Sequence, residues 1–180
     1  MSKYKNIFKV LFILIFMVVE LKGEKRELSK EEIKQIIPYE DPFLFIDKVT
    51  SLSKDRIEAV KDLTGDEDFF KGHFIDFPLM PGALTIEGIG QAATLLVRSR
   101  MQNHEEKDIL AYKLKDVKFI APVIPPAQLK FEAILIAQDE KGAVLEGKAF
   151  VKENLVAECL FMLAIVNKSD FRAKHRILKK

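Results

Sequence analysis

Two ionisable side chains carry the chemistry this sequence offers most clearly. From Ala83 to Val97 (ALTIEGIGQAATLLV) the one charged residue is Glu87. A stretch apolar on nearly every face reads as a buried helix, which would take Glu87 out of water. Such a carboxylate has to be paired, hydrogen-bonded or protonated, because leaving it bare costs several kcal/mol. Gln91 lies four residues on, on the same helical face, where its amide can hold the carboxyl group. Fourteen positions before Glu87, Gly72-His73-Phe74 supplies an imidazole. Met80-Pro81-Gly82 then ends where the helix begins. The first-turn amides of Gly82 and Ala83 have no intrahelical acceptor and carry the positive end of the helix dipole. Histidine, carboxyl group and free amides make an acid–base pair beside an oxyanion site. Glu87 alone would fit a buried structural ion pair equally well; the histidine and the amides tip the balance. Gly88 and Gly90 each cost about 1 kcal/mol relative to alanine in a helix interior. They imply that a strand, a partner subunit or a ligand approaches closely.

The elements that must position these groups follow from pattern and punctuation. Ser29 reads as the N-cap of a short helix with Ile33, Ile36 and Ile37 on one face, ended by Pro38. Phe43 to Ile46 with Val49, and Ile57 to Leu63, read as strands. Residues 64–82 form a loop without period, and Leu84 to Met101 is the long helix. Runs at 109–121, 129–138, 143–153 and 155–166 read as antiparallel strands separated by turn signals. The fold class is therefore α+β, one long helix packed on an antiparallel sheet of about five to six strands.

Composition sets the outer limits. The 180 residues are 48% apolar and carry 29 Lys+Arg against 27 Asp+Glu, which suits one ordered domain and disfavours disorder. A net charge of +2 argues against nucleic acid as a partner. The lone cysteine, Cys159, cannot form an internal disulfide and argues against a thiolate zinc site; no metal site is read in the sequence, and no cofactor is expected. Val10 to Val19 (VLFILIFMVV), preceded by Lys3, Lys5 and Lys9, is shorter than the ~20 residues of a bilayer span. It reads as an anchor, a targeting leader or translated sequence upstream of the usual start, with membrane contact through residues 7–21. Residues 1–26 are set outside the fold, 27–167 form the domain, and 168–180 form a basic tail, read either as a frayed, solvated terminus or as a screened contact for an acidic partner protein. His104 and His175 are expected in solvent, and Phe69-Phe70 in the core rather than as a gate.

The stretch GHFIDFPLMPGALTIEGIGQAA resembles the signature of the FabZ-type (3R)-hydroxyacyl-(acyl carrier protein) dehydratases, approximately GHFPxxPxMPGVLxxEAxAQ. Upstream, IIPYEDPFLFIDKV is similar to ILPHRxPFLLVDRV, and downstream VKFIAPVIPPAQL is similar to RFxxPVxPGDxL. The resemblance covers roughly residues 28–166 in order. It implies the hot-dog fold and dehydration of 3-hydroxyacyl chains on acyl carrier protein in fatty acid biosynthesis. It makes His73 and Glu87 the catalytic pair and Gly82 the glycine whose amide polarises the thioester carbonyl; Ala83 joins it as the next free helix amide, and Gln91, Phe74 and Pro81 are read as support. It also implies a homodimer with His73 and Glu87 contributed by opposite subunits, commonly as a trimer of dimers, in the cytoplasm. Glu87, where isomerising relatives carry Asp, favours plain dehydration; apolar surroundings are expected to keep it protonated. Departures are Ile75-Asp76 after the histidine motif, Glu40-Asp41 in place of a basic residue, Gly88 and Gly90 for alanines, and Pro126-Ala127 for Gly-Asp. The competing functions are a hot-dog thioesterase and a non-catalytic acyl-thioester-binding protein.

Overall fold

The computed structural model describes residues 26–176; the apolar segment Val10–Val19 lies outside the described residues. Strand β1 (Arg26–Leu28) leads into helix α1 (Lys30–Ile36), followed by β2 (Lys48–Leu52) and β3 (Arg56–Leu63). A 3-10 turn (Asp68–Lys71) precedes the long helix α2 (Gly82–Ser99). Strands β4 (Lys107–Phe119), β5 (Ala127–Gln138), β6 (Gly142–Val151) and β7 (Asn154–Asn167) and helix α3 (Lys168–Lys174) complete the chain. The strands form one antiparallel sheet in the order β1-β2-β3-β5-β6-β7-β4. This is the helix-on-sheet arrangement expected from the sequence.

The core lies between α2 and the inner face of the sheet. Ile89, Ala92, Ala93, Leu95 and Leu96 on the helix meet a sheet face that buries Leu129, Phe131, Leu145, Ala149, Phe161 and Leu163. Close approach is built in at the glycines. A Cβ on Gly88 would stand 2.4 Å from the Phe131 ring, and one on Gly147 2.2 Å from the Ile89 side chain. Gly90 faces Phe161, 3.1 Å from where its Cβ would be. The neighbours that the two helix glycines admit are therefore aromatic rings from β5 and β7, packed at the density of a protein interior.

Local sequence explains most element boundaries. Ser29 caps α1 through a reciprocal bond with Glu32, and Ile37 already stands in extended conformation before Pro38. Three sequence-based expectations are corrected. Among the described residues there are seven strands rather than five or six, because Arg26–Leu28 pairs with β2 at the border of the segment set outside the fold. Phe43 to Ile46 is not a strand. The Phe43 carbonyl and the Phe45 amide are satisfied by the buried side chain of Gln91, so no ladder forms and β2 starts at Lys48. The tail is not wholly solvated either. Asn167 accepts from the Asp170 amide to start α3, and Arg172 forms a two-toothed ion pair with Asp108 that pins the helix to β4.

The two faces of β4 are the exception to this order. From Leu110 onward every residue of the strand is exposed, including Tyr112, Leu114, Val117 and Phe119. It is an edge strand of thirteen residues with an open row of backbone groups.

Candidate active site

The loop between the 3-10 turn and α2 is folded around its histidine. The Leu79 amide donates to the His73 carbonyl at 2.9 Å, and His73 Nδ1 lies 2.7 Å from the Leu79 carbonyl oxygen. A carbonyl can only accept, so Nδ1 carries a proton, and in the neutral ring Nε2 then holds the lone pair. The Phe74 ring stacks on the imidazole with centroids 4.1 Å apart. Phe74 and Phe77 close the tip of the loop through backbone bonds in both directions, and the Met80 amide donates to the Val123 carbonyl. The histidine side chain is half-buried, whereas Phe74, Ile75 and Phe77 stand in solvent.

Helix α2 begins without a side-chain cap. Pro81 occupies the N-cap, and its carbonyl accepts from the Leu84 and Thr85 amides. Among the described residues, the amides of Gly82 and Ala83 have no acceptor. They open on a groove of about 510 Å³ whose lining includes Thr85, Phe119, Val123 and Val156. The Phe119 ring leans on Gly82: its nearest atoms are 2.7 Å from the position a Cβ would take.

One turn further along the helix, Glu87 is held from behind. Gln91 is fully buried and its amide is oriented by three bonds. Its Oε1 accepts from the Phe45 amide at 2.8 Å, and its Nε2 donates to the Phe43 carbonyl at 2.8 Å and to Glu87 Oε1 at 3.0 Å. Because Oε1 faces a donor, the amide cannot be reversed without losing these bonds. Among the described residues Glu87 Oε2 has no partner. Glu87 is half-buried in the single chain, not sealed from water as the apolar helix suggested, because Ala83 and Glu87 lie on a strip of α2 that the sheet does not cover. Tyr39 borders this side: burial, and then the charge of Glu87, push its phenol above its ordinary value. The Tyr39 ring stacks on Phe43, 6.3 Å between centroids.

His73 and Glu87 belong to separate networks. His73 is fixed by its own loop, Glu87 by Gln91 and the Phe43–Phe45 segment, and the two share no hydrogen-bond partner within the described chain. The remaining sequence candidates are placed as follows. Phe70 is core and Phe69 packs against it. His175 is exposed; His104 is half-buried, with an Nδ1 that has no partner. Burial, and then Glu158, push the Cys159 thiol up to about 12, so it is no thiolate. Among the described residues no cluster of His, Cys, Asp and Glu could hold a metal ion. The acidic pair Glu40-Asp41 is not a bare negative patch, since Lys34 bridges both and Lys30 bridges Asp41. Sequence reasoning missed the Leu79 carbonyl as the anchor of His73 and Phe119 as the neighbour of Gly82. The only trace of the second was the glycine itself.

Comparison with known proteins shows the family. The FabA-like domain family matches residues 37–159. The 3-hydroxyacyl-(acyl-carrier-protein) dehydratase FabZ of Koribacter versatilis is 36% identical over 143 residues, 79% of this chain and 92% of the relative. Its namesake from Wolinella succinogenes is 37% identical over 144 residues, 77% and 95% of the two chains. Among solved structures, the dehydratase heterocomplex ApeI:P from Xenorhabdus doucetiae superposes with a TM-score of 0.68 at 17% identity, over 81% of this chain and 97% of that one. A hypothetical thioesterase from Streptococcus pneumoniae superposes with a TM-score of 0.53 at 10% identity, over 66% and 84%. These two likenesses speak to the fold alone.

Proposed function

The chain belongs to the FabA-like family with the FabZ dehydratases as its relatives, and from that premise we propose how its site performs their reaction. The protein is a hydro-lyase that dehydrates 3-hydroxyacyl-(acyl carrier protein) in fatty acid biosynthesis. The observation that carries the assignment of residues is the uncapped start of α2, which follows directly on the loop that anchors His73.

In the proposed mechanism the thioester oxygen accepts from the Gly82 and Ala83 amides, which makes the C2 proton more acidic. His73 Nε2 removes that proton, and the electron pair moves into the carbonyl as an enolate held by the same amides. As the enolate collapses, the C2–C3 double bond forms and the C3–O bond breaks. Glu87 Oε2 gives its proton to the departing hydroxyl, which leaves as water. The histidinium then returns a proton to the carboxylate, which restores both groups. Each oxyanion donor is worth about 10²–10³ in kcat, and the positioned acid and base about 10²–10⁴. Phe74, stacked on the imidazole, and Pro81, whose ring leaves the first turn uncapped, support this arrangement.

The site is completed by a second copy of the chain. Among the described residues His73 and Glu87 share no partner, and β4 offers an open edge that exposes Tyr112, Leu114, Val117 and Phe119 between charged residues. Pairing through β4 would supply the missing half of each site, and three such pairs would make the larger assembly. Substrate arrives on acyl carrier protein, and no cofactor takes part. We place the reaction in the cytoplasm, with segment 7–21 as the point of membrane contact. Among the described residues no helix is long and apolar enough to cross a membrane. Fractionating cells that express the chain with and without residues 1–26 tests that contact; only the longer form should enter the membrane fraction.

The function is tested by supplying 3-hydroxyacyl and 2-enoyl thioesters and following the 2-enoyl absorbance in both directions, with free thiol assayed in parallel. Interconversion without thiol release is expected. Thiol release without interconversion would make the protein a thioesterase.

A further inference from the structure

The aromatic ring beside the oxyanion amides has no part in the mechanism above. Phe119 closes β4, and its Cδ1 and Cε1 atoms lie 2.7 Å from where a Cβ on Gly82 would stand. Only glycine admits a ring so close to the first residue of α2. The Gly82 amide nitrogen and that Cβ position are bonded to the same Cα, about 1.5 Å from it. The ring therefore borders the residue that supplies the free amide.

Its backbone is held rather than loose. The Ile120 and Ala121 amides both donate to the Val156 carbonyl, and the Val123 carbonyl accepts from Met80. These bonds tie the segment after Phe119 to β7 on one side and to the residue before Pro81 on the other. Phe119 thus forms a fixed wall of the groove that also contains Gly82, Ala83 and Thr85. A core ring would be buried, yet this one is 61% exposed. It lies on the strand that the second copy is proposed to cover.

We propose that Phe119 is a positioning residue for the thioester carbonyl: its ring excludes water from the Gly82 amide and forms the wall that directs the carbonyl oxygen onto it. Hydrogen bonds to a developing oxyanion gain strength where water is shut out. The ring therefore acts on the enolate-like transition state more than on ground-state binding. This inference rests on the dehydratase reading of Gly82 and deepens it.

The test uses a 3-hydroxyacyl N-acetylcysteamine thioester, which lacks the carrier protein and so keeps carrier docking out of the measurement. Phe119→Ala, Phe119→Leu and Phe119→Tyr are compared with the parent and with His73→Ala, after size and melting temperature show that each is folded and paired. Phe119→Ala should lose about tenfold in kcat with KM changed less than about threefold, a part of the 10²–10³ lost with a whole donor. Leu and Tyr, which keep an apolar wall, should recover kcat to within about threefold of the parent. Parent kcat in Phe119→Ala would overturn the proposal, as would a loss confined to KM. If Phe119→Ala fails to pair or fold, Phe119→Ser and Phe119→Leu are compared instead, and equal kcat in these two would also overturn it. Turnover by His73→Ala at the parent rate would instead remove the dehydratase site itself. A dead His73→Ala beside an unaffected Phe119→Ala would remove only the role of Phe119.

Discussion

Helix α2 meets aromatic rings at both its middle and its start, and the two encounters serve different ends. At Gly88 the ring is Phe131, wholly buried, and nothing but core surrounds it. At Gly82 the ring is Phe119, mostly exposed, beside two amides without acceptors. In both places a missing Cβ lets a ring reach the helix. In the middle the closeness adds packing, and at the start it shapes a groove. A glycine opposite an aromatic is thus not in itself a sign of function. What separates the two is whether unsatisfied polar groups lie next to the contact.

The most damaging way to test that contrast is at the groove end. His73→Ala should remove most turnover, a loss in the range of about 10²–10⁴, while melting temperature and pairing stay with the parent. A comparable loss of melting temperature would mean that the loop histidine is structural.

Gln91→Leu comes next, because Gln91 belongs to both regions: it lies in the buried part of α2 and orients Glu87. Replacing it leaves the Phe45 amide and the Phe43 carbonyl without partners, which costs about 1–3 kcal/mol of stability. It should also lower kcat further than Gln91→Glu, which can still accept from Phe45. Kinetics and thermal denaturation check both. Neither variant can donate to Glu87, so parent kcat in both would show that the Gln91 bond to Glu87 does not matter to catalysis.

At the packing end, Gly88→Ala places a methyl group 2.4 Å from the Phe131 ring. Overpacking of that kind costs about 1–3 kcal/mol, or roughly 2–10 °C in melting temperature for a domain of this size. Activity per folded molecule should be unchanged. A selective loss of kcat with stability intact would give Gly88 a place in the site after all.

The smallest effect concerns the loop that leads toward His73. Burial works to raise the Glu67 carboxyl, but amides including those of Thr64 and Gly65 outweigh it and hold the group below its ordinary value near 4.5. A depressed folded value contributes stability above the unfolded value, and that stability disappears as pH falls through the folded one. Glu67→Gln should therefore flatten the acid-side decline in melting temperature below about pH 5. An unchanged decline would locate the acid sensitivity elsewhere.

How far the sequence could be read follows from where each signal resides. The long helix, its lone carboxylate and Gln91 four residues on are local facts, and periodicity exposes them. The four strands after α2 are equally local, marked by alternation and turns. What escaped depends on contacts distant in sequence. The Phe43–Ile46 segment is apolar enough for a strand, but its backbone groups are taken by a side chain 46 and 48 residues away. The three residues of β1 are too few to show a period, and only their pairing with β2 makes them a strand. The exposure of Glu87 depends on which helix face the sheet covers, and an apolar helix does not disclose that. Phe119 is one phenylalanine among 14, and nothing but the fold sets it against Gly82.

The central claim is that a working site takes His73 from one subunit and Glu87 from its partner, and mixing two inactive variants tests it most directly. His73→Ala and Glu87→Gln are purified separately, each confirmed to be without dehydratase activity, then mixed under conditions that exchange subunits. Random pairing places both intact residues together in about one quarter of all sites, so the mixture should regain roughly a quarter of the parent's dehydration rate. A mixture that exchanges subunits yet stays as inactive as either variant would contradict the shared site.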